Sequence, residues 1–220
     1  MKSVPAALAV FATAVLASAA HAAACDSFTT TAVAVDVREA LLVVQKDLST
    51  AELAAMAAQL GRPAAHPVLG LYAGTVGYAL RQIETVTGPP TASGGKSCPG
   101  LDIHAEFVAV DRRIVIASDL SSMPCRLRAA MEHYRRHAEA ASLALQRFAA
   151  ELPGVLGPEV DRYVRSRPRP PQADDSDLRR YVDVLLDKSV DTFTASLGNV
   201  QAAVDSPEEI YRLTVPCGET

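Results

Sequence analysis

Leu101-Asp102-Ile103-His104-Ala105-Glu106-Phe107 alternates apolar and polar side chains at every step. Soon after it, Leu127, Met131, Tyr134, Ala138, Ala141, Leu145, Phe148 and Leu152 recur at helical spacing. The first pattern is that of a half-buried strand, the second that of an amphipathic helix with one apolar stripe. The change of period within residues 101–152 decides the fold class, because it joins a strand directly to a long helix. Asp111-Arg112-Arg113 reads as a turn, with Ile114-Val115-Ile116 returning as the second arm of a hairpin.

Working outward, Thr31–Val37 places Val33, Val35 and Val37 on one side of a strand, and it runs into the apolar stretch Ala40–Val44, whose state stays open. Ser49-Thr50-Ala51-Glu52 is a capping-box signature for a helix carrying Leu53, Met56, Ala57 and Leu60, which Gly61-Arg62-Pro63 stops. Val68–Val86 reads as one or two strands with a bulge or turn near its glycines, and Gly88–Gly100 as a loop. Downstream, Ser121, Ser122 and Pro124 open the long helix, and Pro153-Gly154 is expected to end it. A short helix over 158–166 and a Pro-rich connection over 167–175 follow. A second long helix then runs from Asp175 or Ser176 to about Val204, and Ser206-Pro207-Glu208-Glu209 starts a last turn. Strands in the first half and helices in the second make an α+β domain: a small antiparallel sheet or hairpin packed against two long helices.

Residues 1–24 read as a secretory signal peptide: Lys2, an apolar run from Val4 to Leu16, then small residues through Ala24. The expected mature protein is a single domain over 25–220, periplasmic or extracellular. Cys25 after three alanines leaves lipidation open as an alternative. No segment has the length and apolarity of a transmembrane helix, and a net charge of −4 gives no electrostatic footprint for nucleic acid. Cys25, Cys98, Cys125 and Cys217 all lie beyond the leader. An even count in an oxidising compartment implies two disulfides. Of three pairings, the one favoured here is Cys125–Cys217 with Cys25–Cys98. The first would tie the carboxyl-terminal tail to the start of the long helix.

That helix carries His133-Tyr134-Arg135-Arg136-His137. Two histidines at i and i+4 share one face, so both rings can reach one metal ion. Ala129, Ala130, Ala140, Ala141 and Ala144 flank them and allow another element to approach. Ordinary tight helix packing explains the same alanines. Asp183, Asp187 and Asp191 recur every four residues on the second long helix and are candidates for a third ligand, as are Glu139 and Glu151. A solvated face is the plainer account of the three aspartates. His66 sits in a loop, and the trio Asp102, His104 and Glu106 fits an exposed strand face better than a cation site.

The order of strand Arg113-Ile114-Val115-Ile116-Ala117, short loop, Cys125 and a helix with two histidines resembles the zincin metallopeptidases. More narrowly, it is similar to a family of small exported bacterial proteins of uncharacterised function regarded as zinc peptidases. The resemblance covers about residues 100–150 and, weakly, Glu208–Cys217. It implies zinc bound by His133 and His137 with a third ligand from a downstream helix. It also exposes a departure, because Tyr134 stands where the HExxH motif has its catalytic glutamate. A phenol, with an ordinary pKa of about 10, is a poor base at neutral pH. Tyr134 also lies on the apolar stripe, where core packing accounts for it. Glu132 and Glu139 point away from the histidines by the helical period.

Two decoys fall away. Gly94-Gly95-Lys96-Ser97 lacks the first glycine of a phosphate loop, since residue 90 is Pro90. The Arg-Pro-Arg-Pro-Pro run at 167–171 reads as a linker. Beside an active hydrolase that uses Glu132 or Glu139 as its base, two classes of function lead. One is an exported zincin-like protein, catalytically impaired or inactive, that retains divalent-metal binding. The other is a disulfide-stabilised structural or interaction protein of the cell envelope, with an envelope protein partner and no metal site.

Overall fold

The described residues form four strands, four α-helices and a short 3-10 helix at Ser118–Ser122: β1 (Thr31–Glu39), β2 (Val43–Gln45), α1 (Thr50–Gln59), β3 (Gly70–Pro90), β4 (Ser97–Ile116), α2 (Pro124–Arg165), α3 (Ser176–Val204) and α4 (Pro207–Thr214). The structure is a computed structural model and describes residues 31–59, 68–90, 97–166, 176–214 and 217. The proposed leader and the Pro-rich connection at 167–175 lie outside the described residues.

β4 is the central strand. β3 pairs with it antiparallel, while β1 and β2 both pair with it parallel. Thr31 faces Leu101 and Val43 faces Arg113, the same offset of 70 residues in both pairings. β1 and β2 are therefore two pieces of one edge line. The Ala40 N–H spans the break between them by donating to the Ala109 carbonyl at 2.8 Å. The α+β class holds, but the sheet is mixed rather than antiparallel, and the hairpin is β3–β4 rather than a turn within 101–116.

The reason lies at Asp111. Its φ of 52° is left-handed, a region aspartate tolerates better than most residues. Asp111 and Arg112 together oppose the single Gly74, between the pairs Ala73–Arg113 and Thr75–Val110. This is a β-bulge, so the chain bends and goes on in the same sheet instead of reversing. Before the bulge, burial alternates: Leu101, Ile103, Ala105, Phe107 and Ala109 face the helices. After it, Ile114 to Ala117 are all buried, in a second core cluster with Leu53 and Ala57 of α1 and Ala130 and Ala138 of α2. The opposite face is ionic. Glu106 pairs with Arg38 at 3.3 Å and with Arg81, and His104 with Asp102 at 3.3 Å, as expected of a solvated strand face.

α2 does not stop at Pro153; it continues through Pro153 and Pro158 to Arg165. A proline in a helix forfeits a hydrogen bond, but here Leu156, Val160 and Val164 are all buried beyond Pro153. β1 also docks on this part of the helix. Asp161 Oδ1 accepts from the Thr31 N–H at 3.0 Å and from its hydroxyl at 2.6 Å. Tertiary packing thus outweighs the local signal.

α3 lies antiparallel to α2, as three contacts in opposite order show. Tyr163 stacks on Tyr181 at 4.0 Å, Phe148 meets Phe193 at 5.3 Å, and His137 meets Gln201. Phe107 of β4 closes edge-on against Phe148 at 5.9 Å, so sheet and both helices share one core. The capping box forms as expected, with the Ser49 N–H donating to Glu52 Oε2 at 2.7 Å and the Glu52 N–H to Ser49 Oγ at 3.3 Å. Among the described residues, no helix is long and apolar enough to cross a membrane.

Candidate metal centre

The antiparallel pairing of α2 and α3 brings the end of α3 over the first half of α2. His133 and His137, one turn apart, are 2% and 6% exposed. Gln201 and Asp205 are also four residues apart. Asp205 sits in the short connection between α3 and α4, where the chain turns back over the histidines. The Cys125–Cys217 disulfide, with Cα atoms 5.6 Å apart, holds the tail beyond α4 to the first turn of α2. This is the pairing the sequence favoured. Cys25 lies outside the described residues, and so does its expected bond to Cys98.

Three ligand atoms converge. His133 Nε2 and His137 Nε2 are 3.0 Å apart, and Asp205 Oδ1 lies 3.2 Å from the first and 3.0 Å from the second. Among the described residues this is the one group of three such side chains able to hold a metal ion. The point equidistant from three atoms so spaced lies about 1.8 Å from each, and zinc sits at about 2.0–2.1 Å from such donors. A tetrahedral ion with those bonds separates its ligands by about 3.3 Å, so only a slight spreading is needed.

The outer nitrogen of His137 favours this use of its inner one. Gln201 Oε1 meets His137 Nδ1, and Gln201 Nε2 donates to the His137 carbonyl at 3.2 Å. An amide oxygen accepts only, so His137 Nδ1 carries the proton and Nε2 presents a lone pair. Lone pairs and a carboxylate facing one another at 3 Å call for a cation or a shared proton between them. Burial raises the Asp205 pKa, but when the two rings are protonated their hydrogen bonds and positive charge outweigh it and hold the carboxyl well below the usual carboxylate range. The residues present therefore fit a divalent ion, with Asp205 supplying a negative ligand.

Tyr134 lies beside the two ligands without joining them. Its ring meets that of His133 edge-on at 4.9 Å and stacks on that of His137 at 5.7 Å. Burial and the nearby Asp205 charge push its pKa up from 10.0, against the opposing hydrogen bond of Gly70. The phenol stays protonated at neutral pH and cannot act as a base.

The other expected ligands are not at the site. Asp187 and Asp191 are exposed, and Asp183 offers its carbonyl to the Tyr78 hydroxyl at 3.0 Å. Glu139 and Glu151 are exposed on α2. The resemblance implied a third ligand from a downstream helix, and Asp205 stands just past the end of one. Glu132 pairs with Arg136 at 3.0 Å on the outer surface. The sequence signal that could have singled out Asp205 was its place directly before the Ser206-Pro207-Glu208-Glu209 helix start. A chain reversal there points the aspartate back at the preceding helix. Comparison with protein-family models, with curated proteins and with solved structures finds no match.

Proposed function

We propose that this chain is an exported, zincin-like domain that binds one divalent metal ion, zinc first, through His133, His137 and Asp205, and that it lacks hydrolytic power. The observation that carries the reading is the triangle of His133 Nε2, His137 Nε2 and Asp205 Oδ1, with sides of 3.0–3.2 Å. Three protein ligands leave an open position on a tetrahedral ion, where a bound metal supplies Lewis acidity. The half-exposed Asp205 puts that position toward solvent. The two acidic side chains next to the motif histidines supply no proton acceptor there. Tyr134 is locked in its neutral form, and Glu132 points outward. The resulting function is metal holding, with the ion serving structure, sensing or ligand capture in the envelope. The exposed Cys125 in a disulfide fits export to an oxidising compartment.

The test is elemental mass spectrometry on the mature protein after dialysis, beside His133→Ala/His137→Ala. One zinc per chain, lost in the double variant, is the expected result. No metal after zinc is added back would overturn the reading. In that case the second class stands, a disulfide-stapled interaction protein in which the same three side chains share a proton. Its supporting observation is the tight seating of Tyr134 on Gly70 as a packing residue.

A further inference from the structure

His133 Nδ1 is the one buried side-chain nitrogen or oxygen without a hydrogen bond among the described residues. A carboxylate faces it: Glu209 Oε1 lies 3.8 Å away. Glu209 is itself buried, 8% exposed. It sits in the first turn of α4, where its N–H bonds to the capping Ser206 hydroxyl at 3.3 Å. Arg136 Nη1 approaches the same Oε1 at 2.5 Å, so the side chain is held between Arg136 and His133. The arrangement on the other ligand is the counterpart, with Gln201 Oε1 on His137 Nδ1.

A neutral imidazole carries one proton. If that proton sits on Nε2 of His133, it points into the ligand triangle and removes one of the three donors. Glu209 faces the other nitrogen with an acceptor. A shift of about 1 Å closes 3.8 Å to an ordinary hydrogen bond. We propose that Glu209 is a positioning residue for the metal centre: it accepts a hydrogen bond from the Nδ1–H of His133, which holds the ring's one proton there and leaves Nε2 bare toward His137 and Asp205. Its negative charge also makes the ring a stronger donor, as carboxylate partners of metal-bound histidines do. α4 then serves the site twice, with Asp205 before its start and Glu209 in its first turn. Glu209 is not a base for the open position, because it lies behind the imidazole, on the side away from the ligand atoms. The inference rests on the metal-binding reading above.

The test uses the full mature chain with its disulfide intact, as wild type, Glu209→Ala and Glu209→Gln. Zinc affinity is measured by competition with a chromophoric chelator. The histidine tautomers are read from imidazole nitrogen-15 shifts, with and without zinc, at about pH 8, where free imidazole is neutral. Glu209→Ala is expected to weaken zinc binding about 10–100-fold, with partial recovery in Glu209→Gln, which keeps an acceptor oxygen. His133 should be Nδ1-protonated in wild type and a tautomer mixture in Glu209→Ala. Unchanged zinc affinity in both variants, or an unchanged His133 spectrum in Glu209→Ala, overturns the proposal. If the wild type binds no zinc, the metal reading fails by itself, and the spectrum of the metal-free chain still decides the role of Glu209. If Glu209→Ala does not fold, Glu209→Gln decides alone: it should weaken zinc binding, and wild-type affinity overturns the proposal.

Discussion

Nε2 of His133 and Nε2 of His137 face each other at 3.0 Å, and both reach the same carboxylate oxygen of Asp205. Two ring nitrogens one helical turn apart are common on any helix. Two buried ones that turn inward on one shared oxygen are an arrangement with a stored demand for positive charge.

Asp205→Ala should lower zinc affinity by at least about 100-fold, as expected from deleting a direct ligand rather than an outer partner. Asp187→Ala and Asp191→Ala, both on the exposed face of α3, should leave it at the wild-type value. Chelator competition on the three variants checks this. Equal losses in all three would mean that general negative charge, rather than the triangle, attracts the ion.

Tyr134 contributes to the alkaline limb of stability, as does Tyr78, whose pKa burial also raises. The folded pKa of Tyr134 is raised above 10.0 by burial and by Asp205. Above about pH 10 the unfolded chain therefore loses this proton while the folded chain keeps it. Stability then falls with rising pH, by up to about 1.4 kcal/mol per pH unit for the single group. Below pH 10 both states hold the proton and the effect vanishes. Tyr134→Phe should flatten this limb. Urea melts of both proteins between pH 8 and pH 11, taken as a difference, read it.

Gly70→Ala tests the seating of the same ring. A Cβ there would stand 2.5 Å from Tyr134 Cε2 and 2.6 Å from the Val115 carbonyl oxygen. One obstacle is backbone, so relief must come from the ring or the strand. The expected cost is about 1–3 kcal/mol of stability. Because the ring touches both histidines, zinc affinity should fall as well. A melting temperature equal to wild type would show that β3 can slide at this point.

Cys125→Ser should cost about 2–4 kcal/mol, since the bond closes a loop spanning 92 residues. Hydrogen exchange should locate the loss in α4 first, because the tail beyond it is what the bond restrains. Zinc, if added, should recover part of the stability by binding only the folded form. Uniform loss of protection across the sheet would assign the disulfide a global rather than a local role.

Much of this was legible along the chain. The capping box, the extent of α3 and the shared face of His133 and His137 all depend on short-range spacing, while the pairing of Cys125 with Cys217 was one of three that the cysteine count left open. What was not legible depends on distant partners. Asp111-Arg112-Arg113 has the composition of a turn, and only the register of β3 opposite it makes it a bulge. Pro153 has the marks of a helix end, and only the burial of Leu156, Val160 and Val164 carries the helix past it. The parallel pairing of β1 with β4 leaves no mark on either strand. Asp205 was hidden for the same reason: its meeting with the histidines follows from the antiparallel docking of two long helices, not from any spacing in the sequence.

The common offset of β1 and β2 on β4 has a bearing on how the molecule is made. A chain emerging amino end first exposes β1 long before its partner exists, because β4 follows about 70 residues later. Parallel neighbours so far apart close slowly. The histidines then wait again, for Asp205 and for Cys217. The group of His133, His137 and Asp205 can thus come together only once the chain has been made past α3.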